Sequence, residues 1–140
     1  MPVRAASAVW TGGLKTGKGS FKTESGIAAS YSFGSRFGDQ SMSNPEELLA
    51  AAEATCYSMA LSSALEKNGT PSTSVESQAK CTLEKVGEGF SITSVALTVR
   101  VAAPGVDDAT LQRLAEATRT GCLVSRALTG TRIEIHASLV

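Results

Sequence analysis

Asn44-Pro45-Glu46-Glu47-Leu48-Leu49-Ala50-Ala51-Ala52-Glu53-Ala54-Thr55-Cys56-Tyr57-Ser58-Met59-Ala60 is the stretch on which the reading of this chain turns. Asn44 suits a helix cap, Pro45 suits the first helical position, and Glu47 follows Asn44 at capping-box spacing. Glu46 and Glu47 lie at the positive end of the helix dipole. The apolar run continues to Leu65, and Asn68-Gly69 followed by Pro71 ends it. Apolar and small residues fall on nearly all faces of this helix. A helix of that kind is enclosed by other structure, and its alanines and serines permit close helix–helix contact. A chain of 140 residues is too small to surround it alone, so the expectation is a homodimer. Glu53, Thr55, Ser58, Ser62 and Ser63 interrupt the run, which argues for a buried core helix and against a membrane span.

Outward from this helix, the N-terminal part reads as strands at residues 3–10 and 21–24. Ile27, Ala29, Tyr31 and Phe33 then alternate at strand period. Residues 34–43 carry two glycines, Asp39 and serines, and read as a loop holding Arg36 and Phe37. After the helix, Val75, Ala79, Cys81 and Leu83 share one face of a strand, and Gly87-Glu88-Gly89 turns the chain. In the return strand the apolar phase slips by one between Ile92 and Val95, which predicts a bulge near Thr93-Ser94. Asp107 or Asp108 caps a second helix bearing Leu111, Leu114, Ala115 and Thr118. Gly121 ends it, Cys122 opens a further helical piece, and Ile133, Ile135, Ala137 and Leu139 alternate in a last strand. Strands, helix, hairpin, helices and strand in that order predict an α+β fold with antiparallel sheet, in one domain over residues 1–140.

Hydrophobic residues at 42 % and charged residues at 19 % suit a globular domain. Basic and acidic residues number 13 each, so the electrostatic footprint of a nucleic-acid binder is missing. Residues 1–7 lack the apolar core of a signal peptide, so the expected compartment is the reducing cytoplasm, without a membrane partner. The three cysteines show no C-x-x-C spacing and no clustering with histidine, which argues against a zinc or other metal site.

Cys56 in the apolar helix and Cys122 at a helix start together suggest redox chemistry. Peroxide O–O bonds are attacked by thiolate, of which a free thiol with pKa about 8.5 supplies only a few per cent at neutral pH. A cation or hydrogen-bond donors are therefore needed nearby. The plain alternative for Cys56 is a small buried hydrophobe, and for Arg36 a surface arginine. For Glu46 it is a helix-start acid. Cys81, on an apolar strand face, reads as core. His136, the only histidine, falls on a polar face, which gives Ser-His-Asp chemistry no support.

Asn44-Pro45-Glu46-Glu47-Leu48, the alanine-rich turn, Cys56-Tyr57-Ser58-Met59-Ala60-Leu61 and Gly121-Cys122-Leu123-Val124-Ser125 together resemble the OsmC/Ohr organic hydroperoxide reductases, the OsmC branch in particular. The likeness covers nearly the whole chain. It implies an intertwined homodimer whose antiparallel sheets wrap two central helices. It implies a peroxidatic Cys56, a resolving Cys122 that forms a disulfide with it, an Arg36 pairing with the thiolate, and a Glu46 orienting that arginine. The implied substrates are organic hydroperoxides, with hydrogen peroxide secondary. No cofactor is implied, and the reductant would be an external dithiol such as a lipoylated protein.

Met59, Phe37 and Tyr57 are candidates to line an apolar substrate pocket. Leu123 stands where the family pattern has proline, which would preset φ at a first helical position. Ten residues separate Glu46 from Cys56, roughly 15 Å of helix rise. If Arg36, Glu46 and Cys56 form one site, the arginine or glutamate reaches the cysteine across a dimer interface, or the helix opening is not straight. The rival readings are a cysteine-based redox sensor and a non-catalytic dimeric ligand-binding protein of the same fold, with a hydrolase third.

Overall fold

The computed structural model describes all 140 residues. The chain forms two compact units, Met1–Leu48 and Leu49–Val140. In the first, β1 (Ala6–Thr11), β2 (Lys18–Thr23) and β3 (Ala28–Tyr31) make an antiparallel meander in sequence order. Gly19 is required there: a Cβ at this position would sit 2.4 Å from the Tyr31 ring, which stacks against Trp10 with ring centroids 5.6 Å apart. The expected loop over residues 34–43 is corrected, because Arg36 lies in a short helix, α1 (Phe33–Phe37). Ser32 and Ser35 cap it reciprocally, each side chain accepting from the other's amide at 3.1 and 2.9 Å. That local closure sustains five residues whose glycine and serine content reads as loop text.

Helix α2 runs unbroken from Pro45 to Lys67. The Glu47 amide donates to Asn44 Oδ1 at 2.8 Å, as the cap spacing predicts. At the other end Gly69 takes φ +78°, with Gly69 N bonded to the Glu66 carbonyl and Thr70 N to the Leu65 carbonyl. Beyond it, β4 (Ser74–Val86) and β5 (Gly89–Ala102) form a long antiparallel hairpin. Thr82 faces Ser94 and Leu83 faces Ile92, so Thr93 has no opposite residue and is the bulge the phase slip predicts. Helices α3 (Asp108–Gly121) and α4 (Leu123–Ala127) lead to β6 (Arg132–Leu139).

The expectation of wholly antiparallel sheet is corrected here. Strand β6 pairs with β5 in parallel, making the order β4-β5-β6. A parallel return needs a crossover, and α3–α4 supply it. Alternation identifies a strand but not its partner's direction.

The core belongs to the second unit. Tyr57, Leu61 and Leu65 of α2 meet Val95, Leu97, Val99 and Val101 of β5 and Leu111 and Leu114 of α3. Each fully buried aliphatic side chain contributes about 1.5–3 kcal/mol. Cys81 packs against this cluster, as its strand face implies, and His136 is exposed on β6. Within one chain α2 is not enclosed on all sides. Glu53, Tyr57, Leu61 and Leu65 form its buried stripe, while Leu48 and Met59 remain 39 % and 76 % exposed. By length and composition alone α2 passes for a membrane-crossing helix. A buried stripe that includes a carboxylate and a phenol and packs into a core is instead the pattern of a central helix of a globular fold.

Candidate active site

Two side-chain pairs hold the residues singled out by sequence, one in each unit. In the first unit α1 is fastened to the start of α2. Asn44 Nδ2 donates to the Ser35 carbonyl at 3.2 Å, and Ser35 Oγ donates to the Ser43 carbonyl at 2.8 Å. Arg36 projects from this short helix. Its Nε and Nη2 both reach Glu46 Oε1, at 3.0 and 2.9 Å. The arginine is half-exposed and Glu46 is buried, with Glu46 Oε2 lacking a partner. The guanidinium also lies 5.3 Å from the Phe37 ring centroid, which restricts it further. The pairing of Arg36 with Glu46 expected from the resemblance is therefore present.

In the second unit Cys56, midway along α2, meets Cys122, which joins α3 to α4. The Cys122 thiol donates to the Cys56 sulfur across 3.0 Å. Both are free thiols, and they differ in access: Cys56 is partly exposed and Cys122 is 1 % exposed. Burial, and then the hydrogen bond to Cys56, push the Cys122 thiol up, so it stays protonated as a donor. The backbone of Cys122 is extended, φ −61° and ψ 129°, with its amide bonded to the Thr118 carbonyl at 2.8 Å. This turn aims the sulfur at α2.

Two further ties run between the same elements. Tyr57 donates from its hydroxyl to the Ala115 carbonyl at 2.9 Å, and burial holds its phenol well above the usual range. Ser125 Oγ donates to Glu53 Oε1, and Glu53 is fully buried. Sequence reasoning treated Glu53 only as an interruption of an apolar run. The signal that finds it is its place in the stripe Glu53, Tyr57, Leu61, Leu65, one residue in every four on the buried face. No group of three or more His, Cys, Asp or Glu converges as metal ligands would.

Two thiols held 3.0 Å apart in a helix-and-sheet fold of this topology are compatible with a thiol-redox class of protein. Comparison with known proteins narrows it. The family model described as OsmC-like protein matches residues 38–136, and the chain belongs to that family. It is 42 % identical over 127 residues to the peroxiredoxin OsmC of Escherichia coli (strain K12), covering 89 % of each chain. Among solved structures, an organic hydroperoxide resistance protein from Elizabethkingia anophelis superposes with TM-score 0.77 at 24 % identity, covering 99 % of both chains. The organic hydroperoxide resistance protein OhrB of Bacillus subtilis does so with TM-score 0.74 at 23 % identity, over 96 % of this chain and 98 % of that one. These two likenesses establish the OsmC/Ohr fold.

Proposed function

We propose that this protein is a thiol-dependent peroxidase that reduces organic hydroperoxides to alcohols. The observation that carries the reading is the 3.0 Å contact between an accessible and a buried cysteine sulfur. A peroxide meets Cys56 first. Its thiolate attacks the terminal peroxide oxygen, the O–O bond breaks, and sulfur is oxidised to a sulfenic acid. The alkoxide leaves and takes a proton to become the alcohol. Cys122 then attacks Cys56: the S–S bond forms, the S–O bond breaks, and the hydroxide leaves as water. An external dithiol, of which a lipoylated protein is the expected source, returns two electrons by thiol–disulfide exchange. No bound cofactor takes part in this scheme. The names of these relatives, peroxiredoxin and organic hydroperoxide resistance protein, support the reading.

Arg36 supplies the fixed charge. Nε and Nη2 are engaged by Glu46, and the remaining Nη1 is suited to a peroxide oxygen or a thiolate. Because α2 is unbroken, roughly 15 Å of rise lie between Glu46 and Cys56 along it. We therefore assign the Arg36–Glu46 pair of one protomer to Cys56 of the other, in a homodimer that covers the exposed face of α2 around Met59. Met59 and Phe37, both exposed, remain the proposed pocket lining, whereas Tyr57 is fully buried and bonded to the Ala115 carbonyl, so it belongs to the core. The proposed compartment is the reducing cytoplasm. The chain is proposed to act as one functional domain over residues 1–140.

The test is a single hydroperoxide addition to Cys122→Ser in the presence of dimedone. The reading expects one stable adduct on Cys56; no adduct refutes it. Mixing Arg36→Ala with Cys56→Ser protein tests the assignment across protomers, which expects activity to reappear in the mixture.

A further inference from the structure

The mechanism above leaves one buried ionisable group unused. Glu53 is 0 % exposed, Ser125 is 8 % exposed, and the two are bonded. The second carboxylate oxygen, Oε2, is buried without a partner. A half-satisfied carboxylate in a core is costly and calls for a reason. Its position offers one. Glu53 lies three residues before Cys56 on α2, and Ser125 lies three residues after Cys122 on the other side of the contact. The Glu53–Ser125 bond therefore runs beside the sulfur–sulfur contact as a second rung between the same elements.

We propose that Glu53, acting through Ser125, is the proton acceptor for Cys122 when that thiol attacks an oxidised Cys56. The proton leaves Cys122 Sγ for Ser125 Oγ while the Ser125 proton moves to Glu53 Oε1. The freed sulfur pair then bonds to Cys56 Sγ. When the leaving group is hydroxide, as in the proposed peroxidase cycle, the proton held on Glu53 completes a water and the carboxylate is restored. Atoms and charge balance without another reactant.

The surroundings require such an acceptor. Burial raises the Cys122 thiol, whereas the Ser125 hydroxyl and amide act on its sulfur in the opposite direction. The other titratable groups acting with Cys122 are Cys56 and Tyr57 on α2, and Glu116 and Arg119 on α3 act in turn on Tyr57. Glu116 and Arg119 are tied to each other at 3.0 Å, and the Tyr57 hydroxyl is committed to the Ala115 carbonyl. His136, the only histidine, is exposed on β6. Glu53 is the carboxylate bonded to a hydroxyl neighbour of Cys122.

This inference takes its biological use from the peroxidase reading, but its test needs no peroxide. Reduced protein, carrying Cys81→Ser so that only the pair remains, is treated with one equivalent of 5,5′-dithiobis(2-nitrobenzoate). Cys56 labels first, and attack by Cys122 on the mixed disulfide releases a second thionitrobenzoate. The second release is followed from about pH 6 to pH 9, across the ordinary thiol range.

In the parent protein its rate should change little with pH. In Glu53→Gln and in Ser125→Ala it should fall about tenfold or more near neutrality, then climb about tenfold per pH unit as free thiolate takes over. The first release should be unchanged. An unchanged second release in the variants overturns the proposal, and so does a fall by one factor at every pH, which is the mark of a structural tie. Ser125→Ala keeps the test decisive if Glu53→Gln fails to fold. Failure of the peroxidase reading is separately visible, as normal second release in a protein that does not consume hydroperoxide.

Discussion

Replacing Leu123 by proline should stabilise this protein slightly, and the structure sets the size of the effect. Leu123 is the first residue of α4, where an amide has no intrahelical partner, so proline removes nothing the helix uses. The residue before proline must be extended, and Cys122 already is, at φ −61° and ψ 129°. Restricting the unfolded chain at a compatible site contributes about 0.4–1 kcal/mol. Against this stands the lost leucine contact. Leu123 is 71 % exposed, so less than a third of its surface is buried, about 0.5 kcal/mol of a full burial of roughly 2 kcal/mol, and the proline ring recovers part of that. The net expectation is a gain of about 0.5 kcal/mol, or roughly 2 °C in Tm for a chain of this size. Urea unfolding of the reduced protein at fixed concentration measures it. The rate of Cys56–Cys122 disulfide formation should not fall, because the turn that aims Cys122 is unchanged. A loss of more than about 1 kcal/mol would refute the reasoning, since it would mean that Cys122 does not hold the extended conformation.

Other consequences are equally checkable. Arg36→Lys keeps the charge but loses the paired donors to Glu46. Hydroperoxide turnover should fall about tenfold or more, while stability drops by no more than about 1 kcal/mol, because the pair is half-exposed. Met59→Glu places a charge on the exposed face of α2, and sedimentation should show the proposed dimer shifted to monomer. Stability should fall with alkaline pH. Cys122 and Tyr57 both have raised folded pKa values, so their contribution is intact below the unfolded thiol and phenol pKa values of about 8.5 and 10, and is lost as pH climbs beyond them. Chemical unfolding at stepped pH should show that loss diminished in Cys122→Ser and in Tyr57→Phe.

Much of this was legible in sequence because it rested on local rules. The Asn44 cap, the glycine stop of α2 and the Thr93 bulge each follow from residue chemistry or period, and each is present. The α1 helix was not legible, since five residues rich in glycine and serine have no helical period. They are held by a reciprocal serine cap and by bonds to Ser43 and Asn44. The parallel pairing of β6 was hidden for a different reason: alternation is blind to the direction of a neighbouring strand that is adjacent in space but distant in sequence. The Arg36–Glu46 and Cys56–Cys122 pairs came from family resemblance, not from spacing, and the side chains are placed as pairs. Glu53 was passed over because a lone acid in an apolar run reads as a break in hydrophobicity. Only its four-residue phase with Tyr57, Leu61 and Leu65 marks it as buried.

The central claim is that Cys56 and Cys122 form one peroxide-reducing pair. Consumption of cumene hydroperoxide with dihydrolipoamide as reductant, for the parent protein and for Cys56→Ser, tests it most directly, with intact mass read after a single peroxide addition. The account predicts sustained turnover, a loss of two hydrogens as the Cys56–Cys122 bond forms, and an inactive Cys56→Ser. A Cys56 that stays reduced contradicts the account, and oxidation without turnover turns the pair into a sensor.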